Sequence, residues 1–256
     1  VPYVRRWLSS LPNRPVTFIE PFAGGAVISL TVAFEQLARH VVMVELDEQV
    51  ASVWQAILGD DGEWLAKRIT DFQLTPENIE EVLSAPAGQL RDRAFQTILR
   101  NRINRGGILA PGAGKIKYGE AGKGLASRWY PGTLRKRILS ISAIRERLTF
   151  IHGDGLEVMR QHIQNTQAVF FIDPPYTAGG KRAGRRLYTH SELDHVALFQ
   201  LAGQLAGDFL MTYDEAPEVR DLAHRFGFDV ETVAMKSTHH AKMRELLIGR
   251  NLDWLR

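Results

Sequence analysis

The run Ala168-Val169-Phe170-Phe171-Ile172 and the four residues that stop it, Asp173-Pro174-Pro175-Tyr176, constrain this chain more than any other stretch. Five apolar residues in a row, several of them aromatic or β-branched, predict a buried strand. Proline has no amide hydrogen to give a ladder, so two in succession force the chain out of the sheet. The carboxylate of Asp173 and the carbonyl of Pro174 are then left at the strand's carboxyl end, with the Tyr176 ring beside them. Two acceptors next to a flat ring suit a planar amine: the acceptors hold its N–H groups and the ring stacks on its face. An adenine or cytosine swung out of a helix is such an object.

Strand-like and helix-like stretches alternate on either side of this motif. Val16–Glu20, Val41–Glu45, Thr149–His152, Phe209–Tyr213, Phe228–Val233 and Leu246–Gly249 read as further strands. Val27–Leu37, Gln49–Leu58, Leu156–His162, Leu193–Leu205 and Glu218–Phe226 read as helices between them. Such alternation predicts an α/β fold, a mostly parallel sheet with helices on both faces. The pattern breaks between about Gly59 and Arg147. There the chain reads as helical, with Thr75-Pro76-Glu77 a helix start and Leu90–Ile103 amphipathic. Asn104–Ser127 follows as a loop with seven glycines, and Pro131–Ile144 resumes a helix. The expected organisation is one α/β domain from residues 1–58 and 148–256, interrupted by a helical insertion at 59–147.

Charge singles out the same insertion. Between Arg91 and Arg147 lie 14 Lys and Arg against 3 Asp and Glu, of 32 and 29 in the whole chain, so one segment stands at +11 and the rest at −8. An imbalance of that size within one segment points to a polyanionic partner. There is no cysteine, which removes disulfides and thiolate zinc sites. No apolar stretch approaches the ~20 residues of a membrane span, and Val-Pro-Tyr-Val-Arg-Arg-Trp does not read as a secretory signal. A cytoplasmic protein is expected. His239-His240 is an adjacent pair without an apparent third ligand, so no metal site is expected.

Three further places carry candidate chemistry. Phe18-Ile-Glu-Pro-Phe-Ala-Gly-Gly-Ala26 is a strand, a Gly24-Gly25 turn and then a helix, a layout that lets backbone approach a ligand at a helix N-terminus. It lacks the spacing of the dinucleotide fingerprint. Glu45 ends the second strand, where an acid can accept both hydroxyls of a ribose; an N-cap role fits Asp47 better. Asp154, in His152-Gly153-Asp154-Gly155, either accepts from a ligand amine or caps the following helix, and the two roles are compatible.

Taken in order, Pro21-Phe22-Ala23-Gly24-Gly25, the acid Glu45, a long insertion, Gly153-Asp154 and Asp173-Pro174-Pro175-Tyr176 resemble the Dam-like, alpha-group DNA adenine-N6 methyltransferases. Asn101-Arg102 at the start of the glycine-rich loop, Tyr188-Thr189-His190 and Glu245-Leu246-Leu247-Ile248-Gly249 extend the resemblance over nearly the whole chain. It implies the class I, Rossmann-like methyltransferase fold with a seven-stranded sheet and a target-recognition insertion. It implies S-adenosyl-L-methionine as cofactor, bordered by Pro21, Phe22, Ala23, Gly24 and Gly25. Glu45 would hold the ribose, Leu46 would pack on the adenine, and Asp154 with Gly155 would meet its amine side. Asp173 and Pro174 would receive the target amine, with Pro175 shaping the turn and Tyr176 stacking on the base. The family also carries a Gly-Gly-Lys stretch ahead of the first strand, where this sequence has not yet begun. The loop Asn101-Arg-Ile-Asn-Arg-Gly-Gly-Ile-Leu109 departs from the pattern of GATC readers, so the resemblance implies adenine chemistry without that target.

Double-stranded DNA is the partner so implied. Contacts are expected from Asn101, Arg102, Arg105, Lys115, Lys117, Lys123, Arg128 and Arg135–Arg137 in the insertion. Lys181, Arg182, Arg185 and Arg186 follow the catalytic turn, and His239, His240 and Lys242 precede the last strand. Most would bind phosphate and a few would read bases. Cytosine-N4 methylation and a non-catalytic DNA-binding partner of the same fold are the alternatives. An acid at position 173 favours adenine, and an intact Asp173–Tyr176 favours an enzyme.

Overall fold

The computed structural model describes residues 1–110, 112–119, 122–175, 193–236 and 242–256, with the side chains of 235, 236, 242 and 243 outside that description. The chain falls into two compact units, one holding Val1–Leu46 and most of the chain after Glu146, the other Asp47–Glu146.

Among the described residues the first unit has seven strands: β1 (Thr17–Glu20), β2 (His40–Glu45), β3 (Leu148–His152), β4 (Ala168–Ile172), β5 (Asp208–Asp214), β6 (Asp229–Lys236) and β7 (Lys242–Gly249). They form one sheet in the order β3-β2-β1-β4-β5-β7-β6. β1 to β5 run parallel, with Thr17 opposite both His40 and Ala168, and Ile172 opposite Met211. β7 enters antiparallel between β5 and β6. This is the sheet of the class I methyltransferase fold. All five residues of β4 are buried, as the unbroken apolar run required.

The helices of this unit are α1 (Pro2–Ser10) and α2 (Val27–Phe34), with others after β3, within 193–205 and after β5. α1 goes unmarked by the strand–helix pattern; its Trp7 is buried and donates from Nε1 to Asp208 at 2.9 Å. α2 stops short of the expected Leu37. Gln36 turns to φ 54° and the Leu37 amide returns to the Val32 carbonyl, which closes the helix. The main core packs Ile19, Val44, Phe170, Ile172, Phe199, Met211, Tyr213 and Leu246 around the central strands.

The second unit is helical: α3 (Glu48–Leu58), α4 (Gly62–Asp71), α5 (Pro76–Ser84), α6 (Leu90–Ile103) and α7 (Pro131–Ser142). Asp47 caps α3 by accepting from Gln49 and Val50, and Thr75 caps α5 by accepting from Asn78. α3 groups with this unit by packing on α6, α4 and α7, so the boundary falls after Leu46, ahead of the 58/59 division expected from the sequence. Its apolar centre is Phe72, edge-on to Phe95 (5.2 Å) and to Trp129 (5.9 Å), with the Arg68 guanidinium 4.8 Å from the Phe95 ring.

Among the described residues the first unit also holds α8 (Gly155–Gln161), α9 (His195–Gln204) and α10 (Pro217–Arg225). No helix of the described residues is long and apolar enough to cross a membrane.

Candidate active site

Neighbouring strands β1 and β4 send their crossovers to opposite sides of the sheet, because the order runs outward from them to β3 one way and to β6 the other. A gap opens beyond the carboxyl ends of two such strands, and ligands of open α/β sheets bind there. The three acids proposed for the site from the sequence lie at carboxyl ends of this set: Glu45 is the last residue of β2, Asp154 lies two residues past β3 and Asp173 directly follows β4.

Backbone bonds stitch those ends together. The Ala23 amide donates to the Val44 carbonyl at 2.9 Å, tying the glycine turn to β2. The Gly153 amide donates to the Glu45 carbonyl at 3.0 Å, tying β2 to the turn after β3. The Gly24 amide donates to Glu45 Oε2 at 2.9 Å, so Glu45 also organises the turn. Gly24 adopts φ +48°, which glycine takes without steric cost. Among the described residues, a methyl group on Gly24 or Gly25 would meet no atom within 4 Å. Gly155 is the opposite case: a Cβ there would fall 2.1 Å from the Pro21 carbonyl oxygen, so α8 starts hard against the turn. Pro21 and Ala23 are buried and Phe22 is half-buried against the core.

Asp154 caps α8, accepting from the Leu156 amide at 2.8 Å through Oδ1, and its side chain is otherwise exposed. Leu46 keeps 45% of its surface exposed immediately after Glu45. An acid, an exposed apolar face, an open glycine turn and a second acid thus line one rim. That set fits a nucleoside: hydroxyls for Glu45, a flat apolar base for Leu46, an amine for Asp154.

At the end of β4 Asp173 is exposed, Pro174 buried and Pro175 half-buried. Thr212 on β5 donates from Oγ1 to Asp173 Oδ1 at 2.6 Å. Tyr176 lies outside the described residues, as do Lys181, Arg182, Arg185, Arg186, His239, His240, the Tyr188-Thr189-His190 stretch and the side chain of Lys242. Among the described residues no group of three or more His, Cys, Asp or Glu is placed to hold a metal ion.

Two residues of this site went unassigned in the sequence. Glu20, the last residue of β1, is 4% exposed and accepts from the Ser29 amide at 2.9 Å. α2 has no side-chain cap of its own, so Glu20 supplies one from across the turn. Burial pushes its carboxyl up to about 8; hydrogen bonding from Ser29 opposes this and the charge of Asp173 adds to it. The only local signal was an acid closing an apolar strand before a glycine turn. Thr212 gave no signal at all. Tyr213, fully buried, has its hydroxyl 3.0 Å from His195 Nδ1; burial, then Asp173, raises that hydroxyl's proton affinity. Burial, then Asp173 and Asp214, also raises the carboxyl of Glu245.

In the second unit the basic residues divide. Asn101 lies inside α6, and its amide donates to the Gly107 carbonyl at 2.8 Å; Arg128 donates to the Asn104 carbonyl at 3.0 Å. Both hold the glycine-rich loop in shape. Arg102 is partly buried, and burial, then Arg128 and Arg137, lower its hold on its proton. Arg105, Lys115, Lys117, Lys123, Arg135, Lys136 and Arg137 are exposed. Tyr118 stands among the lysines with 82% of its surface exposed.

No family model matches this chain, and no curated protein matches it. Several solved structures align along this chain at low identity. The tRNA methyltransferase TrmK of B. subtilis aligns over 98% of this chain and 66% of its own, at 10% identity and a TM-score of 0.41. Precorrin-6y C5,15-methyltransferase from Geobacter metallireducens aligns over 96% and 84%, at 8% identity and 0.40. Precorrin 8w decarboxylase of Methanobacterium thermoautotrophicum aligns over 98% and 90%, at 11% and 0.38. Identities and TM-scores this low carry no chemistry from those proteins to this one.

Proposed function

We propose that this protein transfers a methyl group from S-adenosyl-L-methionine to the exocyclic N6 amine of an adenine in double-stranded DNA. The observation that carries the reading is the gathering, at the carboxyl ends of adjacent parallel strands, of a nucleoside-shaped rim and the Asp173-Pro174 acceptor pair. On this reading Glu45 holds the ribose hydroxyls of the cofactor, Leu46 packs on its adenine and Asp154 faces the adenine edge. The glycine turn leaves room for its methionine end, since among the described residues no atom lies within 4 Å of a Cβ placed on Gly24 or Gly25. The cofactor, when bound, supplies a methyl group already activated by positive charge on sulfur.

The chain's own residues act on the amine. An aromatic exocyclic amine is a poor nucleophile because its lone pair is delocalised into the ring. The Asp173 carboxylate and the Pro174 carbonyl each accept one N–H bond. That draws the nitrogen toward tetrahedral geometry and localises the pair on the face turned to the methyl group. Much of the remaining work is alignment of nitrogen and methyl carbon. A paired, stacked base cannot reach a strand end, so the adenine leaves the helix, and Tyr176 would replace its lost stacking.

The DNA partner is supported by the second unit. Its exposed lysines and arginines suit phosphates, and the crowding of Arg102 beside Arg128 and Arg137 is relieved by a bound anion. The exposed ring of Tyr118 amid lysines suits a nucleic acid as well. The acid at position 173 favours adenine over cytosine-N4 chemistry. The test is tritiated cofactor with unmethylated duplex DNA, followed by separation of the labelled bases. Label in N6-methyladenine is expected; label in N4-methylcytosine, or none, overturns the reading. Asp173→Ala should still bind cofactor and duplex yet transfer at least ~100-fold more slowly, the usual cost of one transition-state hydrogen-bond partner.

A further inference from the structure

We propose that Thr212 is the positioning residue of this site: its hydroxyl fixes which oxygen of the Asp173 carboxylate is turned toward the target amine. The inference rests on Asp173 being the amine's acceptor. Ile172 on β4 is paired with Met211 on β5, so the next residues of each strand, Asp173 and Thr212, come level with one another. Thr212 is half-buried between Met211 and Tyr213, both fully buried, which anchors its backbone. Its Oγ1–H donates to Asp173 Oδ1 at 2.6 Å, the length of a charge-assisted O–H···O bond.

The physical need is specific. Asp173 is an exposed side chain at the last position before two prolines, and a carboxylate has two equivalent oxygens until a donor distinguishes them. Engaging Oδ1 from β5 makes the two oxygens different, with Oδ2 the one that Thr212 does not hold. The Thr212 hydroxyl is a neutral donor, so its own bond to Oδ1 orients the carboxylate and leaves its charge in place. Burial first of all raises the carboxyls of Glu20 on β1 and Glu245 on β7, and the charge of Asp173 adds to their hold on a proton, so Asp173 is the carboxylate whose charge its neighbours register. A β-branched hydroxyl residue restricted at χ1 meets these demands on a strand.

The test compares Thr212→Val, which keeps the shape and removes the donor, with Thr212→Ser, which keeps the donor. Single-turnover and steady-state transfer from tritiated S-adenosyl-L-methionine to unmethylated plasmid duplex are measured for each, with cofactor affinity by calorimetry. Thr212→Val should lower kcat about ten- to hundredfold, the range for one hydrogen bond to a charged group. KM and cofactor affinity should stay at wild-type values, and Thr212→Ser should restore most of kcat. A merely structural role would move the affinities and the melting temperature together. Wild-type kcat in Thr212→Val, or a Ser variant as slow as Val, overturns the inference. If the wild-type protein transfers nothing to DNA, the substrate reading fails by itself. Crystal structures then decide Thr212: a rotated Asp173 in Thr212→Val supports it, and an unchanged Asp173 overturns it.

Discussion

Replacing Glu20 by glutamine tests whether the end of β1 stores a titratable charge. Glu20 is 4% exposed, and burial lifts its carboxyl from 4.5 to about 8. Its proton is therefore held more tightly in the folded than in the unfolded chain. Between those two values the folded state binds more protons, so stability falls as pH rises across the window. The contribution is complete below pH 4.5 and lost above about pH 8. At ~1.4 kcal/mol per pH unit, the window is worth at most about 4–5 kcal/mol, and water reaching the carboxylate reduces that ceiling. The amide of Glu20→Gln is neutral throughout and its oxygen still accepts from the Ser29 amide. Urea unfolding followed by circular dichroism at pH 5, 7 and 9 should show the variant level with wild type at pH 5 and ahead by several kcal/mol at pH 9, within that ceiling. Comparing the two proteins cancels every other titrating group. Asp173→Asn should narrow the gap, because the Asp173 charge is one of the causes of the rise. Parallel pH profiles for wild type and Glu20→Gln would refute the reasoning and place an ionised, well-solvated carboxylate at that position.

Glu45→Ala should weaken S-adenosyl-L-methionine by roughly 1.5–3 kcal/mol for each hydroxyl that loses an ionised acceptor; unchanged calorimetric affinity in a folded variant removes Glu45 from the site. Reversing Lys115, Lys117 and Lys123 to Glu together should abolish duplex binding and leave cofactor binding intact. Wild-type affinity for duplex should fall by about 0.9 log units per log of salt for each phosphate neutralised, so a flat salt response means the insertion does not face the backbone. Gly155→Ala forces a methyl group to 2.1 Å from the Pro21 carbonyl and should lower stability by about 1–3 kcal/mol while loosening cofactor binding; a variant that melts and binds as wild type does shows that α8 can shift without cost.

The elements of this protein were legible in its sequence wherever local rules decide. An apolar run stopped by two prolines gave β4 its bounds, and an acid or hydroxyl before a helical pattern marked the caps at Asp47 and Thr75. The carboxyl-end acids were legible for the same reason: Glu45 and Asp173 come where an apolar strand stops, and Asp154 sits in the glycine turn between a strand and the helix it caps. What depends on distant partners was not. Whether β7 joins an edge or enters between β5 and β6 is set by which strands leave a gap, and nothing in Lys242–Gly249 records that. α3 reads as one more helix of the alternating pattern, yet its apolar face is satisfied by α6 and α7. Glu20 looks like any strand-ending acid until the turn folds over it, and only then does burial change its chemistry. Thr212 meets Asp173 across 39 residues of chain because two strands pair in register. Local propensity acts over a few bonds, whereas burial and hydrogen-bond partners are assigned by the sheet, so the sequence named the acids and tertiary structure decided how each is held.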